Sequence, residues 1–268
     1  MKKDLEKEMA WVLEEKYRHK PTEKFYKDVA RLKAGEPVDY VIGFTEFLGC
    51  KIDLSKKTLI PRKDTEFWVE EVIKDILTFL RMSEFGKDKK IRVLDIFSGS
   101  GCIGVSVLKK IKNADVVFAD KDNNCIEQIK INLKLNTSLI RANKRIGGEE
   151  RHSVIKSDIF SKVRGKFDFI FANPPYVAIK KINNIQKSVL KYEPKIALFG
   201  GSDGLYYIKI FLSKAKNRLN PGGKIFMEFS PEQKPAIEKI ILKNKYSNFE
   251  FKKDQNGRWR WVSIWFDK

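Results

Sequence analysis

The stretch with the most chemical content is Asn173-Pro174-Pro175-Tyr176, directly after the apolar run FDFIFA. Two adjacent prolines cannot continue a central strand and contribute no amide donors. They leave rigid, bare carbonyls at the strand's carboxyl end, and Asn173 adds a side-chain carbonyl beside them. Two acceptors side by side suit an NH2 group that has to be held by both hydrogens. Tyr176 supplies an aromatic wall for a planar amide or base. An amide nitrogen is a poor nucleophile because its lone pair is delocalised. Acceptors from Asn173 and the Pro174 carbonyl would orient that nitrogen, partly relieve the delocalisation and turn the lone pair toward an electrophile in line. Such positioning is worth roughly 7–11 kcal/mol. No nucleophilic side chain is needed. Histidine is scarce: His19 and His152 lie in polar stretches expected to be exposed. Cys50, Cys102 and Cys125 form no CxxC pair, so they are expected to be buried thiols, with neither a disulfide frame nor a metal site.

The second constellation is the loop after IRVLD. Asp95 is followed by Ile96, Phe97, Ser98, Gly99, Ser100 and Gly101, and Gly99, Gly101 and Gly104 satisfy GxGxxG. Asp120, followed by Lys121, closes the next predicted strand roughly 20 residues on, as in a dinucleotide site. Glycines let the backbone approach a ligand closely, and the following helix offers its first amides. This predicts an adenosine-containing cofactor whose ribose hydroxyls donate to Asp120. Asp95 tilts the identity toward S-adenosylmethionine. A carboxylate immediately before the loop repels a pyrophosphate and favours a cofactor carrying a sulfonium and an ammonium group. Asp158 ends a third strand, where it can accept from an adenine amino group while Ile159 or Phe160 packs on the ring.

These residues have to be held by a frame. The apolar runs IRVLDIF, VVFAD, SVIKSD, FDFIFAN and GKIFMEF read as buried strands. Helices are expected after Gly101, over NNCIEQIKINLKL, near 203–219 and over about 232–244. Such alternation predicts a doubly wound, mainly parallel α/β sheet. FEFKKD and RWVSIWF, joined by the turn DQNG, should pair antiparallel and close a seven-stranded Rossmann-like sheet. By parity Trp259, Trp261 and Trp265 share one strand face against a covering helix. Upstream, helices are expected over 4–19 and from Phe25 to a stop at Gly35. Residues 36–62 read as extended with a hairpin at Gly49, and Asp64 reads as the N-cap of a helix to about residue 82. The stretches 83–90 and 136–151 read as a polar linker and a surface loop. The expected division is a short N-terminal helical module (1–34), a β-hairpin with its linking helix (35–90) and the cofactor-binding domain (91–268).

Hydrophobic residues make up 42% of the 268, enough for a sizeable core, and no apolar run is long enough to span a membrane. The N-terminus has no apolar signal core, so a cytoplasmic, monomeric protein is expected. The net charge of +19 favours acidic partners, nucleic acid above all, yet the basic residues are scattered. A lysine-rich solvated surface with incidental nucleic-acid affinity explains it equally well.

Asp95, the glycine loop, Asp120 and NPPY in register resemble class I S-adenosylmethionine-dependent methyltransferases acting on planar NH2 groups. More narrowly, the chain resembles the HemK/PrmC type, the release factor glutamine methyltransferases. GEPVDYVIGFTEFLG is similar to that family's hairpin entry, TLIPRKDTE to its IPRPETE motif and YEPKIALFGGSDGL to its segment after NPPY. RLNPGGKIFMEFSPEQ and KKDQNGRWRWV are similar to its closing strands. The resemblance covers roughly 35–268. It implies transfer of methyl from S-adenosylmethionine to the glutamine side-chain amide of a Gly-Gly-Gln motif in a peptide chain release factor, which would be the protein partner. It also implies Arg62 and Glu66 near the site and Asn173 to Tyr176 as the clamp on the substrate glutamine. Phe97 stands where a glycine is common, and the helical region before Gly35 is shorter than usual, so docking would lean more on the basic surface. The chief alternative is a methyltransferase for adenine N6 or another exocyclic amine of DNA or RNA, which shares NPPY and suits +19. A nicotinamide oxidoreductase, suggested by GxGxxG alone, has no use for NPPY, and a non-enzymatic adapter has no use for an intact Asp95, Asp120 and NPPY.

Overall fold

A computed structural model describes residues 2–82, 90–141 and 151–265. Helices α1 (Lys2–Tyr17), α2 (Glu23–Lys33) and α3 (Val38–Ile42) enclose a small core of Val12, Phe25, Val29, Leu32, Val41 and Ile42. Helix α1 ends at Tyr17, before Arg18 and His19 adopt positive φ, and α2 is capped by Thr22 at Phe25 N. Helix α3 falls in a stretch expected to be extended. Pro37 opens it and Gly43, at φ 97°, closes it within five residues, too few for periodicity to reveal. A polar knot ties the module together. The buried Asp28 carboxylate accepts from Lys16 Nζ (2.7 Å), Tyr17 Oη (2.8 Å) and Arg31 Nη1 (2.7 Å). Arg31 also forks onto Glu36, which meets Lys57 as well.

Strands β1 (Phe44–Phe47) and β2 (Cys50–Asp53) form the expected hairpin, turning through Leu48 and Gly49 at φ 49° and 73°. Both central residues at positive φ match the right-handed twist of the strands. Helix α4 (Lys63–Met82) buries Trp68, Val69, Val72, Ile73, Ile76 and Leu80, with Phe67 and Leu77 at the margin. Asp64 lies inside its first turn instead of capping it. Its carboxylate is drawn to Arg260 (2.9 Å) and Gln255 (3.1 Å) across the molecule. Most of the polar linker falls outside the described residues.

The remainder alternates as read: β3 (Ile91–Ile96), α5 (Cys102–Lys110), β4 (Ala114–Asp120), α6 (Asn123–Leu135), α7 (Thr137–Arg141), β5 (His152–Lys156), β6 (Phe167–Ala172), α8 (Lys187–Tyr192), α9 (Lys195–Leu198), α10 (Tyr206–Ala215), β7 (Leu219–Glu228), α11 (Lys234–Lys243), β8 (Asn248–Lys253) and β9 (Trp259–Trp265). Helix α7 occupies the start of the stretch read as a surface loop, and 142–150 lie outside the described residues. The sheet order is β5-β4-β3-β6-β7-β9-β8, parallel throughout except that β9 runs antiparallel to both neighbours. Strand order reverses between β3 and β6, which opens a crevice at the carboxyl ends of these strands. In register, Ile96 lies beside Ala119 and Ala172, and Ala172 beside Met227. The next residue of each strand therefore emerges at one rim.

Two apolar layers sandwich the sheet, one under α4, α5 and α6 and the other under α10 and α11. The tryptophans of β9 divide between them. Trp261 stacks on Trp68 at 6.4 Å in the first, whereas Trp259 packs into the second. A bulge sets Lys252 opposite Trp261 but Lys253 opposite Trp259, and the extra residue, Arg260, reverses the parity that placed all three indoles on one face. All three cysteines are buried, as expected for small apolar thiols, and His19 is exposed. No helix among the described residues is long and apolar enough to cross a membrane.

The N-terminal knot carries a pH signature. Arg31 holds the Glu36 carboxyl at about 2, below its ordinary 4.5. A depressed carboxyl stabilises the fold above its unfolded value and loses that contribution as pH falls through its folded value. Amide protection across α2 and α3, relative to intrinsic exchange at each pH, is expected to fall between pH 4.5 and 2, and Arg31→Ala is expected to shrink that fall and raise its lower limit. Exchange rates measured against pH check both.

Candidate active site

The carboxyl-end crevice holds a cavity where small-molecule sites of such sheets lie. Its walls bring together Phe97, Gly99, Asp120, Lys121, Asp158, Ile159, Asn173 and Pro175 from the residues singled out in the sequence. Ile96, Ala119, Leu59, Asp122, Cys125, Ser157, Pro194, Ile196, Ala197 and Tyr207 complete it. Leu59 belongs to TLIPRKDTE, and Pro194, Ile196 and Ala197 to YEPKIALFGGSDGL, whereas no chemical motif points to Asp122, Cys125, Ser157 or Tyr207.

The glycine loop is built around two carboxylates. Asp95 is fully buried, and its Oδ2 accepts from Gly104 N at 2.9 Å. Its Oδ1 has no hydrogen-bond partner among the described residues. Asp120 accepts from Gly99 N (2.9 Å) and Asp122 N (3.0 Å). Burial pushes the carboxyl of Asp95 well up and that of Asp120 up as well, the Asp120 charge adding to the rise at Asp95. Neither forms an ion pair among the described residues, and a cation bound here would favour the charged form of both carboxyls and draw them back down. Ser98 works inward, its hydroxyl donating to Asp95 O at 2.6 Å and accepting from Ala119 N at 3.0 Å. Ser100 is buried, with its carbonyl on Asn132 Nδ2. Gly101 takes φ 78° as the residue before α5. Asp95, Ser98, Ser100 and Gly101 thus lie behind the cavity wall and shape the loop that forms it.

The opposite wall is apolar and aromatic. Phe97, at φ 58°, packs its ring edge-on against Tyr207 and Phe211. Lys121 donates to Tyr207 Oη at 2.5 Å and lies over its ring. Ile159, also at positive φ, is buried at the wall, and Asp158 is exposed at the rim.

NPPY leaves β6 at the floor. Asn173 Nδ2 donates to Thr65 Oγ1 across 3.4 Å, and Thr65 Oγ1 in turn donates to Glu228 Oε2 at 2.7 Å. Trp68 Nε1 reaches the same oxygen at 2.7 Å, and Tyr176 Oη donates to Glu228 Oε1 at 2.9 Å. Tyr176 therefore points at Glu228 and does not line the cavity. Burial raises the Glu228 carboxyl while the three donors and Arg260 hold it down. Burial and the Glu228 charge push the Tyr176 phenol well up, so it stays protonated as a donor. Thr65, Trp68 and Glu228 were not singled out from the sequence. The available signal is a lone carboxylate in GKIFMEF, at the end of a central strand next to the one that carries Asn173.

The segment after NPPY folds back over it. Val177 bridges to Phe199, with Val177 N on Leu198 O and Gly200 N on Val177 O, both at 2.9 Å. Gln233 Nε2 donates to Tyr176 O at 2.9 Å. Glu193 is buried, taking Ile60 N and Arg62 Nη2, the latter at 2.6 Å. Arg62 thereby pins YEP to IPR and lines a separate groove beside Trp11 and Phe44. Glu66 accepts from Leu48 N at 2.7 Å and holds the hairpin turn. Neither Arg62 nor Glu66 lines the cavity.

A family model described as a methyltransferase small domain matches residues 72–201. A release factor glutamine methyltransferase of Clostridium botulinum is 31% identical over 88% of this chain and 78% of its own length. A bifunctional methyltransferase of Rickettsia conorii is 33% identical over 92% of the chain. The chain spans about half the length of that relative and of two other Rickettsia proteins of the same description. Among solved structures, a 16S rRNA N2 methyltransferase from T. thermophilus, in complex with AdoMet and guanosine, superimposes with a TM-score of 0.53 at 17% identity. The match covers 83% of this chain and 49% of that one.

Gly104 sets the closeness of α5 to the sheet. A Cβ there would lie 2.2 Å from the Phe118 ring and 3.0 Å from Asp95 Oδ2. Gly104→Ala is expected to lower stability by about 1–3 kcal/mol, as for overpacked cores, measured by denaturant unfolding.

Proposed function

The chain belongs to the release factor glutamine methyltransferase family, and on that footing we propose that it transfers a methyl group from S-adenosylmethionine to the side-chain amide nitrogen of the Gly-Gly-Gln glutamine of a peptide chain release factor. The fold is that of class I methyltransferases, with one antiparallel strand closing the parallel sheet. The observation that carries the reading is Asn173. It stands at the cavity floor with its NH2 end turned to Thr65, which leaves its carbonyl for an incoming NH2 group.

S-adenosylmethionine supplies an electrophilic methyl on a sulfonium. The residues fit such a group: a buried Asp95 oxygen without a hydrogen-bond partner among the described residues, a half-buried carboxylate at Asp120, and an apolar wall of Phe97, Ile159, Leu59 and Tyr207. Asp120 would take the ribose hydroxyls and Asp158 the adenine amino group. Asp95 would hold the charged end of the cofactor, directly or through the Gly99–Gly101 loop whose shape it sets. Asn173 Oδ1 and the Pro174 carbonyl would each accept one hydrogen of the glutamine amide. That fixes the nitrogen and concentrates electron density on it. Pro175 forms wall beside them. As the nitrogen takes the methyl it becomes more acidic, and its proton leaves past these acceptors to water. Tyr176, committed to Glu228, would brace the NPPY turn.

A nucleic-acid base is the second reading, favoured by the net charge of +19 and by a floor that would hold any planar NH2. Labelled methyl transfer decides between them. A release factor, its variant with alanine for the Gly-Gly-Gln glutamine, and bulk tRNA or DNA are offered in parallel. Label on the factor that vanishes with the glutamine is expected; label on nucleic acid alone rejects the proposal. In the same assay Asn173→Ala is expected to fold and bind cofactor but lose about 100- to 1000-fold in turnover, the usual effect of removing a group that stabilises the transition state.

A further inference from the structure

Between the buried carboxylate and the cavity stands one hydroxyl. Thr65, in the first turn of α4, is 2% exposed and lies between Glu228 Oε2 and Asn173 Nδ2. A hydroxyl has one hydrogen and two lone pairs, and a carboxylate accepts only. The Thr65 hydrogen is therefore given to Glu228, and Thr65 turns a lone pair toward Asn173. A lone pair attracts the NH2 end of an amide and repels its carbonyl end. The planar Asn173 amide then has to aim Oδ1 away from Thr65, toward the cavity it lines.

We propose that Thr65, oriented by Glu228, is the positioning residue that sets the amide orientation of Asn173, so that this site presents an acceptor to an incoming NH2 group. A flipped Asn173 would set NH2 against NH2. The inference deepens the reading of the site as a glutamine methyltransferase and rests on it for its kinetic consequence. The support behind Glu228 belongs to the same device. Trp68 Nε1, a donor only, shares Oε2 and excludes a proton from it, while Arg260, held by Asp64 and Asp254, lends positive charge nearby. Register explains the economy: Ala172 pairs with Met227, so Asn173 and Glu228 emerge side by side from neighbouring strands, and α4 lays Thr65 across both.

Three variants separate orientation from mere packing. Thr65→Ser keeps the hydroxyl, and Thr65→Val keeps the shape without it. Glu228→Gln is expected to be mild, because Trp68 demands the carbonyl end of the new amide at Oε2, and that end still accepts from Thr65. In Thr65→Val, kcat is expected to fall by about 100-fold, while KM for a Gly-Gly-Gln substrate and the calorimetric Kd for S-adenosylmethionine stay within about twofold. Thr65→Ser is expected to restore most of kcat. A Val variant as fast as wild type, or a Ser variant as slow as Val, overturns the proposal. Nuclear magnetic resonance keeps it independent of the substrate. The Asn173 side-chain NH2 protons should be protected from exchange and close in space to the Thr65 methyl in wild type, and exchange freely in Thr65→Val. If wild type methylates no glutamine, the functional reading fails alone. If its Asn173 NH2 shows no contact with Thr65, the positioning fails whatever the substrate.

Discussion

The structure turns on a carboxylate that cannot be left alone. Glu228 is buried at the end of a central strand, where an uncompensated charge would cost several kcal/mol. Its solution is to draw three donors from two separate parts of the chain: Thr65 and Trp68 from the linking helix and Tyr176 from the loop beyond β6. That one requirement docks α4 onto the sheet, fixes the path of NPPY and orients the amide at the cavity floor. The stacking of Trp68 between Phe171 and Trp261 supplies the apolar half of the same joint. Removing any donor would leave a buried polar group unmet, so the joint is cooperative.

A second electrostatic feature faces it across the crevice. Asp95 is buried and Asp120 half-buried, both without a basic partner among the described residues, in a chain of net charge +19. Basic groups are plentiful on the surface, yet Lys121, at the rim, is committed to Tyr207. The cavity is therefore a negative pocket in a positive protein. The local sign serves a cationic small molecule, while the surface field serves acidic macromolecules. Charge summed over the chain says nothing about which of these a given cavity prefers.

The segment from Tyr192 to Leu205, whose one short helix is α9, shows how a connecting stretch with little regular structure can be held in place. Glu193 is tied to Arg62, Val177 bridges to Phe199, and Gly204 packs so close to Tyr176 O that a Cβ there would lie 2.2 Å from it. The two stretches that resemble family motifs, IPR and YEP, are thus joined to each other through Arg62 and Glu193 outside the cavity, while Leu59 and Pro194 beside that joint form part of its wall. Their role in this structure is to pin the lid over NPPY.

The sequence by itself determined the mainly parallel sheet, the glycine loop at a strand's carboxyl end and the location of the floor. Buried parallel strands read as uninterrupted apolar runs, and glycine and proline declare their backbone geometry wherever they stand. It also placed Asp120 and Asn173 at strand ends, because a strand end is a local property. Short or non-local features escaped it. Helix α3 is a single turn defined by Pro37 and Gly43, Trp259 changed faces through a bulge invisible to parity, and Asp64 left the helix cap for Arg260. Only the tertiary structure decided that Tyr176 would brace the floor and not line it, that Arg62 and Glu66 would clamp loops, and that Thr65 would hold the Asn173 amide. The physical reason is common to all of these. A polar side chain's partner is chosen by which buried group lacks one, and in Glu228 and Thr65 that group lies more than a hundred residues away along the chain.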